Sequence, residues 1–384
     1  MQASRQTVLT IIVLGAIILA IVFLETRHAG PRALIPGSAD VTPGALESVG
    51  TSTANAARIA EKKLRYAPAK EITEPTGFIN TEPFTIQSLV GKKVVLLDFW
   101  TYSCINCIRT LPYVEAWAQK YQDAGLVVVG IHTPEFDFEK VFANVEMAVK
   151  KFGITYPVVL DSQYGTWSAY GNNYWPQDYL IDIDGFIADS HIGEGDYAQT
   201  EEEIQNLLAE RNSVLGLHTP IPTGVVRPAS ETVNESLPLS PETYFGSARN
   251  EYLGNGTIEK QQVADFKLPK DISAPNVFYL SGTWDIESQY AETKAAGAGI
   301  AYNYEAQNLY FVAAAQGSSA LLRVLVDGKP ISSDMRGGDV GPDGLLRINE
   351  NRLYSVVKAS AWGTHHIELQ LESGILRAFT FTFG

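Results

Sequence analysis

The chain has 384 residues, 45% hydrophobic and 19% charged, a balance that excludes a disordered, fibrous or polytopic protein and leaves room for two or three domains. Acidic residues outnumber basic ones, 43 to 29, for a net charge of −14; nucleic acid is not an expected partner, because phosphate binding needs a basic footprint. Its 2 cysteines exclude a disulfide-stapled scaffold and any four-thiolate zinc or iron–sulfur site.

Val8 to Leu24 is an uncharged apolar run of 17 residues. As a helix it spans about 26 Å, the short end for a bilayer. Arg5 precedes it; Glu25, Arg27 and His28 follow. A cleaved signal peptide has a shorter apolar run and a small-residue cleavage site. The nearest such patch is Ser38-Ala39-Asp40, so residues 1–29 are expected to be an uncleaved single anchor with the rest of the chain exported. Residues 30–75 are rich in Ala, Gly, Ser, Thr and Pro and read as a flexible tether. Within it, Asn55 to Tyr66 has the spacing of a short amphipathic helix.

From Phe78 the strand and helix patterns alternate. Lys93 to Trp100 is a continuous apolar run, as a central buried strand requires. Cys104 to Gln122 has helical spacing and Gly125 ends it. Leu126 to Ile131 is a second buried strand. Phe138 to Phe152 places Phe138, Val141, Phe142, Val145, Ala148, Val149 and Phe152 on one helical stripe. Thr155–Leu160, Asp178–Asp182 and Phe186–His191 are further strands, with Asp184-Gly185 a hairpin turn between the last two. Glu201 to Arg211 closes the unit as a helix. This alternation predicts an α/β sheet covered by helices.

The two cysteines are Cys104 and Cys107. C-x-x-C carries redox or metal chemistry. Cys104 falls between a strand and a helix, where free N–H groups and the helix dipole favour a thiolate. Cys107 follows one turn later, within reach of the first sulfur. An exposed thiolate attacks a partner disulfide, and a second cysteine resolves the mixed disulfide. Asp98 lies six residues before Cys104 inside the apolar strand. A buried carboxylate there has a raised pKa and exchanges a proton with a nearby thiol; a hydrogen-bonded strand-end aspartate is the alternative. Trp175-Pro176 precedes a strand and is a candidate cis turn. A metal site needs two more ligands than the cysteines supply, and the six histidines are scattered.

LLDFWTYSCINCIRTLPY (Leu96 to Tyr113), YPVVLD and NYWPQDYLIDIDG together resemble the thioredoxin family, and within it the TlpA/DipZ-type extracytoplasmic thioredoxins. The resemblance covers residues 76–211, within a thioredoxin-like domain expected over residues 76–213. It implies a thioredoxin fold with Cys104 as nucleophile, Cys107 as resolving cysteine and Asp98 as proton relay. The segment from His132 to Gly153 resembles the helical insertion of TlpA- and peroxiredoxin-like members. Trp100, Tyr102, Ser103, Trp175 and Pro176 are expected to meet the partner chain, and Ile105-Asn106 forms the active-site turn. Ile105-Asn106 replaces the family's common Gly-Pro, and Ser103 replaces its usual Trp. No cofactor is implied beyond the redox-active pair Cys104/Cys107. The implied partners are disulfides of exported proteins and a membrane electron donor of the CcdA/DsbD type. A peroxidase is a competing reading: Thr101-x-x-Cys104 matches half of the peroxiredoxin motif, although Leu97 stands where its Pro should be.

Residues 214–241 hold many Pro, Ser and Thr and read as a linker. Beyond them strands dominate: Gln261–Leu268, Asn276–Asp285, Ile300–Glu305, Asn308–Ala314, Ala320–Asp327, Arg352–Ala359, Thr364–Glu372 and Ile375–Phe383. Turn signals such as Asp327-Gly328, Asp343-Gly344 and Ser373-Gly374 separate them. Eight short strands predict a β-sandwich or jelly roll over residues 242–384. Pro241 to Leu253 (PETYFGSARNEYL) and the closing RAFTFTFG resemble the module that follows the thioredoxin in DipZ-type proteins, a carbohydrate-binding-module-like sandwich. That resemblance implies a carbohydrate or protein ligand. Trp284, Tyr290, Tyr302, Tyr304 and Trp362 are candidates for a sugar platform, with core packing the plainer role. His365 and His366 are adjacent on a strand and face opposite sides, so they cannot chelate together. A non-enzymatic binding protein working through this module is the third reading.

Overall fold

The computed structural model describes residues 55–229, 237, 239–257 and 262–384. The apolar run Val8–Leu24, the tether up to residue 54 and residues 230–236 and 238 of the expected linker lie outside the described residues. Among the described residues no helix is long and apolar enough to cross a membrane.

Seven residues in succession, all buried, make β2 (Val94–Trp100). A strand with no polar face must have both faces covered, and β2 lies inside a six-stranded sheet ordered β1-β4-β3-β2-β5-β6. Its other strands are β1 (Gly77–Ile79), β3 (Leu126–His132), β4 (Val158–Leu160), β5 (Gln177–Ile181) and β6 (Ile187–Ile192). β3 runs parallel to β2 and β4, while β5 pairs β2 and β6 antiparallel. Helices α1 (Ile105–Tyr121), α2 (Phe142–Phe152) and α4 (Tyr197–Leu215) share one core, in which Trp117, Val145, Leu207 and Leu208 join Leu96 and Leu180. The opposite face packs Val95, Leu97, Phe99 and Tyr179 beside Trp167 and Tyr170 of α3 (Gly165–Tyr170). Its short length hides α3 from periodicity.

Two differences from the sequence reading have clear causes. The stripe Phe138–Phe152 is not one helix. A single 3-10 turn (Asp137–Lys140) precedes an extended Val141, and α2 starts after it. Val145, Ala148 and Val149 are buried as expected, but Val141 and Phe142 are exposed. The turn is drawn inward because Glu139 is fully buried in it. The short helix expected within the tether is present over residues 58–65, but it is docked on the domain and not part of a free tether. Arg58 and Lys62 hold it to the β5–β6 turn through Asp184 and Asp182, at 2.8 and 2.6 Å.

The C-terminal part is all-β. Eight strands, β7 (Thr243–Tyr244) to β14 (Arg352–Phe383), join in one hydrogen-bonded sheet. They are not eight short strands. β11 runs through 28 residues, Gly299–Val326, and β14 through 32, each absorbing three of the expected segments. The supposed breaks are bulges: the β11–β14 register shifts between Ala306 and Asn308 and between Gln316 and Leu321. Gly374 does hold φ +84°, yet the strand continues through it. A bulge and a turn use the same residue types, so composition cannot tell them apart. The core gathers Phe245, Phe278, Trp284, Phe311, Tyr354 and Phe381.

The two parts touch. Phe136 and Phe138, on the turn before α2, both pack edge-on against Phe379 of β14, with ring centroids 4.9 Å apart. Val312 and Ala314 of β11 complete this small core.

Candidate active site

β2 delivers the chain to the loop Thr101–Ser103, and α1 begins immediately after Cys104, which is its N-cap. The Cys104 sulfur takes the place of a capping oxygen: it accepts the N–H of Cys107 at 3.3 Å, satisfying one of the donors a helix N-terminus leaves free. The same thiol donates to the Trp175 carbonyl oxygen at 3.7 Å. Cys104 is half-buried and Cys107 fully buried, and both are free thiols. Burial, reinforced by Cys104 beside it, pushes the Cys107 thiol well above the ordinary cysteine range. One sulfur is accessible and one is sealed, the division of labour thiol exchange requires.

The Trp175-Pro176 peptide is cis. The Trp175 indole donates to the Thr133 carbonyl at 3.0 Å and lies 4.3 Å from Trp167, so its ring is held from two sides. Asn106 accepts from the Arg109 guanidinium at 2.7 Å, and Arg109 in turn binds Glu194 at 2.6 Å. This fixes the turn between the cysteines. Ile105 is buried.

Asp98 is sealed beneath the cysteines, with neither carboxyl oxygen hydrogen-bonded. Burial raises its pKa to about 7. The alternative of a hydrogen-bonded strand-end aspartate is therefore not what the structure holds.

Trp100, Tyr102 and Ser103, expected to meet a partner, are all buried instead, because each has an internal partner. Trp100 stands edge-on to His132 at 5.0 Å, and Tyr102 stacks on the same imidazole at 5.6 Å. Burial drives the His132 pKa down to about 3, so the ring is neutral. The Tyr102 hydroxyl donates to the Asn351 carbonyl in the all-β part, at 3.1 Å. Ser103 is bound to Glu139.

The sequence pattern does not reveal the surroundings of the site. Above Cys104 lies a cleft of about 310 Å³, lined on one side by Ile105, Asn106, Glu135, Asn173, Tyr174 and Trp175. The other side belongs to the all-β part: Glu242, Tyr244, Arg249 and Thr382. Glu135 binds the Arg249 guanidinium at 2.7 Å and the Tyr244 hydroxyl at 2.9 Å, and Arg249 lies 3.8 Å over the Tyr244 ring. Ile105 also lines a second hollow, of about 280 Å³, with Ile108, Met147, Phe152, Tyr310 and Leu353. No local pattern marks these residues, since they converge from segments more than 100 residues apart.

Of the aromatic candidates in the all-β part, Trp284, Tyr302 and Tyr304 are fully buried, which removes them from any sugar platform. His365 and His366 are engaged separately, with Asp327 at 3.1 Å and Asn303 at 2.7 Å.

Residues 67–190 match the AhpC/TSA family, and residues 240–384 match a family described as the thioredoxin-like C-terminal domain. The chain is similar to the protein DipZ of Mycobacterium bovis, 37% identical over 319 residues, which is 82% of this chain and 43% of that protein. It thus spans less than half the length of that relative. It is 31% identical over 148 residues to the thiol-disulfide oxidoreductase YkuV of Bacillus subtilis, covering 38% of this chain and 98% of YkuV. Among solved structures, a thioredoxin-like protein in its oxidized form is 29% identical, with 38% of this chain and 97% of that one aligned at a TM-score of 0.35.

Proposed function

This chain belongs to the thioredoxin-like family, of the TlpA/DipZ type; from that premise we propose that it is a membrane-anchored thiol-disulfide oxidoreductase that reduces disulfides of exported proteins. Cys104 attacks one sulfur of the client disulfide, releasing the other as a client thiolate. Cys107 then gives up its proton to Asp98 and attacks Cys104. The mixed disulfide breaks, the second client thiolate leaves, and the chain holds a Cys104–Cys107 disulfide. Two electrons have passed to the client, and a membrane donor of the CcdA/DsbD type restores the dithiol. The observation that carries this reading is the asymmetry of the pair: Cys104 caps α1 at the floor of an open cleft, while Cys107 is sealed beside Asp98. Anchoring rests on the apolar run Val8–Leu24.

The all-β part, read as a carbohydrate-binding-module-like sandwich, serves as one wall of the cleft. A client must enter between it and Trp175, which favours an extended segment over a rigid folded surface. The peroxidase reading gains nothing from the site, where Thr101 is fully buried rather than beside an incoming peroxide. Replacing Cys107 by Ala tests the proposal. Mixed disulfides with envelope proteins should accumulate through Cys104 and vanish when Cys104 is also replaced; an envelope fraction with no such adducts would refute it.

A further inference from the structure

Three titratable side chains stand in a row across the sheet beneath the cysteines. Asp98 on β2 pairs directly with Asp178 on β5, and Asp178 pairs directly with His191 on β6. Residues directly opposite on paired strands project from the same face, with Cβ atoms about 4.5–5.5 Å apart. That separation is bridged by a carboxyl group or by one water. β6 is the edge of the sheet, so the row runs from the sealed interior to its rim. Burial follows the same gradient: Asp98 is 1% exposed, Asp178 5%, and His191 is only half-buried.

The row is not explained by stability. Both Asp98 oxygens, Asp178 Oδ1 and His191 Nε2 are buried with no hydrogen-bond partner. Such groups cost free energy unless something uses them. The charged and titratable groups around Asp178 are Asp98 from β2 and Asp189 and His191 from β6; Cys107 of α1 and Tyr156, ahead of β4, share the electrostatics of this cluster. Arg109 of α1 is taken up by Glu194, and α4 brings the apolar Ile204, Leu207 and Leu208 to this face. No cation is paired with either carboxylate among the described residues, so burial raises both pKa values, and for Asp178 the neighbouring Asp98 and Asp189 add to it. Like charges so close favour sharing one proton.

We propose that Asp98, Asp178 and His191 form a proton path between the resolving thiol and solvent at the β6 edge. The inference rests on reading Cys107 as the resolving cysteine. As the Cys107 sulfur bonds to Cys104, its proton passes to the Asp98 carboxylate. Asp98 hands a proton to Asp178, Asp178 hands one to the imidazole of His191, and that ring passes one to water. In the reverse direction the path returns a proton to Cys107 when the disulfide is reduced. Asp178 and His191 are positioning residues: they act through Asp98 and touch no client.

The test uses the dithiol protein and Ellman's reagent, which releases one coloured thiolate when Cys104 attacks and a second when Cys107 resolves. In Cys107→Ala the second phase should disappear. If it persists, the reading of Cys107 fails and this inference with it. Asp178→Asn keeps the side-chain shape and should slow the second phase about tenfold or more, flatten its dependence on pH, and leave the first phase within about twofold. His191→Ala, at an edge strand that tolerates change, should slow only the second phase and recover with added imidazole. A lost second phase in Cys107→Ala, with unchanged second-phase rates and pH profiles in both other variants, would overturn the path while leaving the function intact. Equal slowing of both phases would also overturn it, by showing a structural effect.

Discussion

One carboxyl oxygen of Glu139 accepts both the backbone N–H and the hydroxyl of Ser103, at 3.2 and 2.7 Å. Its other oxygen accepts the N–H groups of Glu135 and Phe136, at 2.7 and 2.9 Å. A single buried side chain thereby ties the residue before the accessible cysteine to the turn that reaches into the all-β part. Glu139→Ala strands four donors in the interior. The expected loss is about 3–5 kcal/mol, since each buried group left unsatisfied costs about 1–3 kcal/mol and the structure relaxes in part. Urea unfolding measures it, and a loss under about 1 kcal/mol would show that the turn does not depend on this residue.

Asp98 makes stability depend on pH in a definite direction. Its pKa is about 7 in the folded chain against 3.8 when exposed. The folded state therefore holds the proton more tightly between these values, and stability falls as pH rises from about 4 to 7. Asp98→Asn removes the cost of burying the charge. The variant should match the parent near pH 4 and exceed it at pH 8 by a few kcal/mol, because a tenfold change in proton affinity is worth about 1.4 kcal/mol. Urea unfolding at the two pH values measures the difference. A variant less stable than the parent at pH 8 would contradict a sealed, unpaired Asp98. Asp178, next to it in the row, gains from the same change, because its neighbour's charge is gone.

The Arg109–Glu194 pair predicts an effect on the active-site turn. Arg109 is buried, and its guanidinium joins Glu194 to the Asn106 side chain. Arg109→Met preserves length and apolar packing but frees Asn106 and leaves Glu194 to turn outward. Stability should fall by about 2 kcal/mol, less than for a fully buried pair because Glu194 can regain water. The rate of Cys104 alkylation should change more than in a control substitution on the outer face of α1. Equal rates would mean that the turn is held by the helix alone.

Much of the α/β part is legible in the sequence because its signals are local. Val94–Trp100 has to be a central strand, since Asp98 is its one polar residue and neither face alternates to polar, and Cys104, Cys107 and Pro176 follow it in a recognisable order. What escapes depends on distant partners. Glu139 lies on a stretch of helical periodicity, and only its contact with Ser103 shows that it points inward. Tyr102 and Ser103 look exposed beside a reactive cysteine, yet Asn351 and Glu139 close over them. Asp178 becomes a neighbour of Asp98, and His191 of Asp178, only once strand order is known. In the all-β part the alternation of Leu322, Val324 and Val326 locates a strand, while Gly and Ser at bulges pass for turns.

The contact between the two parts should control client access, not thiol chemistry. Phe379 fills the space between Phe136 and Phe138 and is buried with Val312 and Ala314. Phe379→Ala opens a cavity there and should cost about 3–5 kcal/mol. Arg249→Ala is the milder probe. It removes the Glu135 pair and the cover on Tyr244. Arg249 is partly exposed but the Glu135 side chain is only 8% exposed, so the loss should be about 1–3 kcal/mol, still below that of Phe379→Ala. The cleft wall then loosens while Cys104, capped by its own helix, is untouched. Arg249→Ala should therefore leave Cys104 alkylation and turnover of a small disulfide within about twofold, and alter KM for an extended disulfide-bearing polypeptide. Equal effects on both substrates would show that the all-β part supports the fold of the site without selecting what enters it.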